Sequence, residues 1–261
     1  MNSSDVRVSV VMPALNAKLT AGEAVVSILE QSEANFEFLI LDDGSTDGTT
    51  DILDELAAQD PRLRLVKNRS SEGVAAGLNR LAKLARGNYI ARMDADDVSH
   101  QDRLREQCDL LDRHLNTVLV SCLVICEFAE NTDIVARRYY EAIERHRRTL
   151  ASRGPVEQAL VHKNIFHHGE VIFRRAAFDE VGGYAEWMEG VEDYDLWLRM
   201  MARGNMRISA RELYTRRIYP SSVSMQNRLR AVRLARLARI RNLPMSDAKR
   251  ELAMQRLAEI L

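Results

Sequence analysis

The order of apolar and polar positions along the chain predicts alternating strands and helices. Short runs rich in apolar and β-branched residues predict strands near residues 7–13, 36–42, 62–67, 88–93 and 117–127. Longer segments between them have helical spacing and predict helices near residues 20–31, 48–59, 72–85 and 101–115. Four successive strand–helix units followed by an irregular region after about residue 130 favour a doubly wound, mostly parallel sheet over a barrel.

The second half of the chain is less regular. Its predicted elements are a basic helix over 136–153, a loop with His162, His167 and His168, a strand at 171–173, a Gly182-Gly183 turn and an acidic helix start at 192–199. We see no internal repeat and place the last boundary near residues 224–226. The prediction is one Rossmann-like α/β domain over 1–224, with halves 1–128 and 129–224, and a helical extension over 225–261.

Composition fits a globular enzyme-sized domain. The chain has 261 residues and 46% hydrophobic content, enough for one substantial core. The longest nearly uncharged apolar run, residues 118–126, is far shorter than the roughly 20 residues of a membrane helix. No secretory signal is visible at the N-terminus, so we expect a cytoplasmic location. Cys108, Cys122 and Cys126 are predicted to be packed thiols, because two of them lie in the apolar run.

The tail differs in charge from the rest. Residues 228–261 contain nine Arg or Lys and three acids, a net charge of +6. Since the overall charge is −1, residues 1–227 have a net charge of −7. Within 228–241 the arginines surround most of a helix, and Ala231, Ala235 and Ala238 form a narrow stripe without them. We weigh packing on the body or on a second subunit against contact with the inner face of the membrane or a lipid acceptor. Nucleic-acid binding is not expected, because the rest of the chain is acidic.

The most informative motif is the acidic cluster Asp94-Ala95-Asp96-Asp97, directly after a predicted strand. Carboxylates gathered at a strand end repel one another unless a cation or hydrogen-bond donors compensate them. Asp94 and Asp96 can supply two hard oxygen ligands for Mg²⁺ or Mn²⁺, with water and a diphosphate completing the shell. The alternative is a helix cap with solvated turn residues.

Two further segments follow strand ends. A turn with Gly44, Asp47 and Gly48 explains much of residues 42–48, but not both Asp42 and Asp43, one of which could accept from a nucleobase or a ribose. The next segment has Gly73 and Gly77 at early positions of a predicted helix, which suggests close approach by a ligand or another backbone. Neither Gly-x-Gly-x-x-Gly nor the phosphate-loop pattern occurs, which disfavours a dehydrogenase or a P-loop enzyme.

Asp193 is the candidate general base. At a helix start we expect the helix dipole to hold it ionised, with Glu192 and Asp195 keeping the region electronegative; a plain helix cap is the alternative. For His167 and His168 we weigh hydrogen-bonded loop histidines against ligand contacts. Trp187 and Trp197 are expected in the core or in an acceptor groove.

Taken together, these motifs resemble one family. The ordered segments 8–16, 42–49, 87–97, 182–184 and 192–197 closely resemble the inverting family 2 glycosyltransferases with the GT-A fold, over roughly residues 6–224. The resemblance implies a nucleoside-diphosphate sugar donor, UDP first, and a glycan or lipid-linked glycan acceptor, as in bacterial surface-polysaccharide synthesis.

The resemblance also implies roles for individual residues. Donor contacts would come from Pro13, Leu15, Asn16, Asp42, Asp43, Asn79 and Asp94. Asp94 and Asp96 would form the metal-binding Asp-x-Asp motif, and Asp193 would deprotonate the acceptor hydroxyl. Weaker acceptor-side or phosphate contacts are His168, Glu192, Trp197, Arg217 and Tyr219.

One departure and two rivals remain open. Many relatives carry a histidine where this chain has residues 216–224, and here Tyr219 stands nearby, so a third protein ligand is in doubt. Asp94-Ala95-Asp96-Asp97-Val98 also matches the pattern of HAD-type phosphohydrolases, although that pattern belongs on a first core strand. A catalytically silent sugar-nucleotide binder is the non-enzymatic rival.

Overall fold

The computed structural model describes residues 6–153, 156–219, 228–247 and 250–251. Its strands form one sheet in the order β3-β2-β1-β4-β7-β6-β8-β5. Their bounds are β1 Val8–Ala14, β2 Phe36–Asp42, β3 Leu63–Lys67, β4 Tyr89–Arg92, β5 Val98–Ser99, β6 Thr117–Phe128, β7 Ile172–Arg174 and β8 Asn205–Ile218.

Helices cover both faces of the sheet. They are α1 Ala21–Leu29, α2 Thr49–Gln59, α3 Val74–Leu84, α4 Arg103–Arg113, α5 Ile134–Ala151, α6 Glu157–Leu160, α7 Arg175–Glu180, α8 Glu192–Met200 and α9 Arg228–Asn242. Alternate residues of β1 enter different cores: Val8, Val10 and Met12 pack with α1, α2 and α4, and Val11 packs with α3 and α8. Strands buried on both faces explain the continuous apolar runs.

The parallel arrangement predicted from the sequence is confirmed in the first half. β1 pairs in parallel with β2 and β4, and β2 pairs in parallel with β3. The short strand β7 then lies between β4 and β6 and is antiparallel to both. Because β7 runs backwards, the residues just before it lie at the same edge as the carboxyl ends of β4 and β6.

The strand β8 was not recognised as a strand over most of its length. It pairs in parallel with β6 and antiparallel with β5. Register shifts near Cys122 and Leu123 interrupt its pairing with β6, and several of its residues are charged. These features hide the period-two pattern that identifies a strand.

The cysteine prediction is confirmed, since Cys108 and Cys122 are buried and Cys126 is partly buried, all as free thiols. Burial raises the pKa of Cys126 to about 11. None of the helices in the described ranges is both long and apolar enough to cross a bilayer.

The described part of the tail packs on the body. Ala238 and Ile240 of α9 are buried, and Ala231 and Ala235 rest against the core shared with α8. The Asn242 amide donates to Asp195 of α8 at 2.8 Å. The alanine stripe is therefore the packing face of α9. The predicted boundary near 224–226 and the end of the tail, 252–261, lie outside the described residues, and contact with a membrane or a second subunit stays a prediction.

Candidate active site

The candidate residues meet at one edge of the sheet. The carboxyl ends of β1, β2 and β4 bring the segments after Ala14, Asp42 and Arg92 to this edge. Antiparallel β7 adds the residues that precede it, and β8 ends at the same edge. Ligands of open α/β sheets bind beyond the carboxyl ends of the strands.

The acidic cluster after β4 is electrostatically strained. Burial, and then the charge of Asp94, raise the pKa of Asp96 to about 6. Burial and the neighbouring carboxylates Asp94 and Asp96 raise the pKa of Asp97 to about 8. Asp97 is 2% exposed and accepts a hydrogen bond from the backbone N–H of Arg217 at 2.8 Å. The predicted repulsion within the cluster is therefore present, and Asp97 has a structural role in joining it to β8.

A buried arginine supports this cluster, and sequence analysis did not assign it a role. Arg92 is 4% exposed, and its Nη1 lies 2.5 Å from Asp94 Oδ1. Its charge also lowers the proton affinity of Asp96, Glu192 and Asp193. The available signal was a charged side chain inside the otherwise apolar strand β4.

Gly169 and Tyr214 also lie against Asp94. The backbone N–H of Asp94 donates to the Tyr214 hydroxyl at 3.3 Å. A Cβ at Gly169 would lie 2.2 Å from the Tyr214 hydroxyl oxygen and 2.4 Å from Asp94 Oδ2. Neither residue could be recognised from the sequence, because both come from segments remote from Asp94 in the chain.

The cluster offers two ligands for a metal rather than a complete shell. Among the described residues no group of three or more His, Cys, Asp or Glu is placed to hold a metal ion. Asp94 and Asp96 repel each other, and a divalent cation would relieve that repulsion. Their hard oxygens fit Mg²⁺ or Mn²⁺, with the remaining ligands supplied by water and a diphosphate.

Asp193, the predicted base, lies in the first turn of α8. Its Oδ2 accepts a hydrogen bond from the Asn164 amide at 2.8 Å. Burial, and then the charge of Glu192, raise the pKa of Asp193 to about 7. The expectation that a helix dipole keeps this group firmly ionised is wrong, because desolvation and a like charge dominate. A carboxylate with a pKa near 7 suits a general base better than a strongly acidic one.

Glu192 and His168 adjoin this base. Glu192 accepts from the backbone N–H of Gly190 at 2.5 Å, and burial raises its pKa. His168 Nε2 lies 2.8 Å from the Tyr184 hydroxyl, and its Nδ1 is 3.9 Å from Glu192. Burial, and then the charge of Arg92, lower the pKa of His168 well below its usual value. His168 is therefore a neutral ring in the wall of the site, and its ligand contact stays a prediction.

Asp42 and Asp43, at the carboxyl end of β2, both have partners within the chain. Asp42 accepts from the Ser45 backbone and the Thr50 hydroxyl. Burial alone would raise the pKa of Asp43, but hydrogen bonds, the largest from Ser71, outweigh it and lower the pKa. Turn formation therefore accounts for Asp42, whereas Asp43 binds the loop at residues 68–73, as expected from a turn that does not explain both carboxylates. A contact of either with the donor stays a prediction.

The remaining donor candidates differ in accessibility. Pro13 is partly buried, and Leu15 is 48% exposed beyond β1. Asn16 has a positive φ of 51° and accepts from the Thr46 backbone at 2.9 Å, which joins the first two loops. Asn79 is engaged elsewhere, because its amide exchanges two hydrogen bonds with the Tyr184 backbone. These bonds argue for a supporting role of Asn79 rather than direct donor contact.

The glycine prediction near the start of α3 needs correction. Gly73 precedes the helix, with a φ of 89°, and is not an early helical residue. Gly77 lies within the helix, where a Cβ would be 2.7 Å from the Leu41 side chain. The close approach is therefore to a strand side chain, not to a ligand or another backbone.

Three weaker predictions have different outcomes. Trp197 is fully buried against Phe173, so the prediction of an acceptor contact is wrong and the core alternative is confirmed. The Arg217 guanidinium pairs with Glu23 at 2.7 Å, which leaves its phosphate contact a prediction. Tyr219 lies near the acidic cluster. Burial raises its pKa most, the charge of Arg217 opposes that shift, and the charge of Asp96 adds to it. Its phosphate contact also stays a prediction.

A buried charge network lies beneath these residues. Arg147 Nη2 is 2.6 Å from Glu170 Oε1, and neither side chain is exposed. Arg216 donates to His167 Nδ1 at 2.9 Å, so the ring carries its proton on Nε2 and donates it to Glu144 at 2.7 Å. This network fixes α5 and the histidine loop against β6 and β8. Of the two loop alternatives for His167, the hydrogen-bonded one is confirmed.

Comparison with known proteins places the chain in a family. The protein-family model described as "Glycosyl transferase family 2" matches residues 9–182 of the chain. The "Putative glycosyltransferase EpsE" of Bacillus subtilis (strain 168) is 36% identical over 209 residues, which cover 78% of this chain and 69% of that protein. Of two other curated relatives that it matches, the chain spans only 21% of the length of one and 41% of the length of the other.

Solved structures share the fold. The mannosyltransferase PcManGT from Pyrobaculum calidifontis, in complex with GDP-Man and Mn²⁺, has a TM-score of 0.72 at 20% identity, over 96% of this chain and 69% of that one. S. aureus TarS 1–349 in complex with UDP has a TM-score of 0.67 at 18% identity, over 97% of this chain and 70% of that one. The predicted GT-A fold is confirmed.

Proposed function

This chain belongs to glycosyl transferase family 2, and we propose that it transfers a sugar from a nucleoside-diphosphate sugar to a hydroxyl of a glycan or lipid-linked glycan, with inversion at the anomeric carbon. The observation that carries the proposal is the pairing of two acidic sites at one sheet edge. The cluster at Asp94 and Asp96 and the base candidate Asp193 both lie within the field of buried Arg92.

The donor would lie across the ends of β1, β2 and β4. The loops that carry Pro13, Leu15 and Asn16 and the turn at Asp42 and Asp43 are joined by hydrogen bonds such as Asn16 with Thr46. A prebuilt pair of loops lowers the entropy cost of holding a nucleoside. The complexes of TarS with UDP and UDP-GlcNAc and of PcManGT with GDP-Man support a nucleotide donor. We propose UDP first.

Asp193 would supply the base. Its carboxylate would take the proton from the acceptor hydroxyl as that oxygen forms a bond to the anomeric carbon. The bond from this carbon to the diphosphate breaks, and the electron pair leaves with the diphosphate. Attack opposite the leaving group gives inversion. A pKa near 7 lets Asp193 accept a proton at neutral pH and release it afterwards.

Asp94 and Asp96 would hold Mg²⁺ or Mn²⁺. When bound, the cation would neutralise charge on the departing diphosphate. Arg92 pairs with the Asp94 carboxylate, the Tyr214 hydroxyl accepts from its backbone N–H, and Gly169 leaves the space that the carboxylate occupies. The Mn²⁺ in the PcManGT complex supports this assignment.

The rival readings fit less well. Family membership and a cluster on the fourth strand of the chain disfavour a HAD-type phosphohydrolase, which needs its motif on the first core strand. A silent binder would have no need of a partly buried carboxylate with a pKa near 7 beside the donor cluster.

The direct test is release of nucleoside diphosphate from a panel of UDP-, GDP- and dTDP-sugars, first with Mn²⁺ or Mg²⁺ and then with a chelator. We expect cation-dependent release from one donor, most of it lost in Asp96→Asn. Release that persists unchanged with the chelator and in Asp96→Asn would contradict the role of the cluster. Phosphate release without nucleoside diphosphate would favour the phosphohydrolase.

A further inference from the structure

Asn164 makes the polar side-chain contact that joins the histidine loop to the predicted base. Its Nδ2 donates to Asp193 Oδ2 at 2.8 Å, across 29 residues of sequence. The other end of the amide accepts from the Phe166 backbone N–H at 3.2 Å. This second bond fixes the orientation of the amide, because the oxygen must face Phe166 and the nitrogen must face Asp193.

Charged and titratable groups surround the Asp193 carboxylate on several sides. Glu192, on the same helix, disfavours its ionised form. Arg92 of β4 favours the ionised form, and Tyr184 approaches from the turn before the helix as a neutral phenol. Asn164 differs from these groups because it binds one carboxylate oxygen directly, without a net charge. A hydrogen bond to the ionised form favours that form and also sets its direction.

We propose that Asn164 is the positioning residue of the base: its amide aims the Asp193 carboxylate and stabilises the ionised form that takes the proton of the acceptor. The inference rests on the proposed function for its kinetic consequence. The hydrogen bond itself does not depend on which sugar or acceptor the enzyme uses.

The chain offers a matched control on the same helix. The Asn242 amide donates to Asp195 Oδ1, also at 2.8 Å, two residues beyond Asp193. Asn164→Ala and Asn242→Ala therefore each remove one asparagine–aspartate bond to α8. Only the first removes a bond to the predicted base. Asn164→Asp replaces the donor by a carboxylate of similar size, so it keeps the shape of the loop and adds a like charge.

The test measures nucleoside diphosphate release against pH, together with ¹³C NMR titration of the Asp193 carboxyl in the full chain, assigned with Asp193→Asn. Loss of a hydrogen bond to the ionised form should raise the Asp193 midpoint in Asn164→Ala by about one pH unit. Activity should then fall about fivefold at pH 7 and recover to nearly the parent value at pH 9. Asn164→Asp should move the midpoint further, and Asn242→Ala should leave it in place.

The outcomes separate this inference from the proposed function. An equal loss of activity at every pH in folded Asn164→Ala and Asn164→Asp, with an unmoved NMR midpoint, would make Asn164 only structural and overturn the inference. If no donor in the panel is turned over, the proposed function fails. The NMR midpoints of the same variants still decide whether Asn164 stabilises the ionised carboxylate.

Discussion

Gly169 approaches Asp94 so closely that a Cβ on the glycine would lie 2.4 Å from Asp94 Oδ2. The contact comes from the reversal of the chain at β7, which brings a loop 75 residues away in sequence against the acidic cluster. The absence of a side chain at residue 169 is therefore a requirement of the site.

Gly169→Ala should displace Asp94 and lower cation-dependent nucleoside diphosphate release at least tenfold. Forcing a methyl group into a packed region costs roughly 1–3 kcal/mol of unfolding free energy. Gly22→Ala in α1 is the control, because its Cβ would meet only the Ile52 side chain of α2, at an ordinary contact distance of 3.7 Å. The check is activity and urea unfolding of both variants. Parent-like release by Gly169→Ala would mean that the position of Asp94 does not matter.

Arg147→Met should destabilise the protein strongly. The substitution leaves Glu170 buried without its cation, and breaking a fully buried pair costs about 3–5 kcal/mol. Arg148→Met removes the neighbouring, half-exposed arginine of the same helix and should change stability by less than about 1 kcal/mol. Urea unfolding measures both. Equal effects of the two substitutions would show that the buried network contributes no more than a surface pair.

The alanine stripe of α9 gives a prediction for the tail. Ala238→Asp should lower the free energy of unfolding by several kcal/mol, since residue 238 is fully buried and the new charge would be unpaired. Val232→Asp, on the exposed side of the same helix at 66% exposure, should be nearly neutral. The melting temperatures of the two variants test this difference. Similar small changes would mean that α9 is not held on the body in solution.

The raised pKa of Asp193 has a consequence for stability. Between about pH 4 and pH 7 the folded state binds more protons at this residue than the unfolded state, so its contribution to stability falls as pH rises through that window. Asp193→Asn should therefore gain melting temperature relative to the parent at pH 8, and the difference should shrink towards pH 5. A difference that grows towards pH 5 would show that the carboxyl is not raised in the fold.

The sequence was sufficient for the first half of the fold apart from the two-residue strand β5, and for the two acidic motifs. The strands β1, β2 and β4 are mostly apolar and β3 contributes Leu63, Leu65 and Val66, so their ends are visible, and the candidates Asp94 and Asp193 follow from their places at element ends. The insertion of β7 between β4 and β6 was not visible, because strand order depends on pairing across distant segments.

The supporting residues were harder to foresee. Asn164, Gly169 and Tyr214 act through contacts between segments far apart in the chain, and each is an unremarkable residue in its own segment. Arg92 is the exception, because its charge stands out in the apolar strand β4. The ionisation of Asp193 was predicted in the wrong direction for the same reason. Its position on the helix and the neighbouring charge of Glu192 could be inferred from the sequence, whereas its desolvation, the largest cause of the raised pKa, depends on tertiary packing.

In the proposed glycosyl transfer reaction, Asp193 takes the proton of the acceptor hydroxyl. The most direct measurement compares parent and Asp193→Asn in two assays, donor-sugar turnover and binding of the same nucleoside diphosphate, with exposed Asp179→Asn of α7 as the control. General-base catalysis contributes roughly 10²–10⁴-fold, so turnover by Asp193→Asn should fall by that factor while binding and the control stay near the parent values. Normal turnover by folded Asp193→Asn would contradict the account.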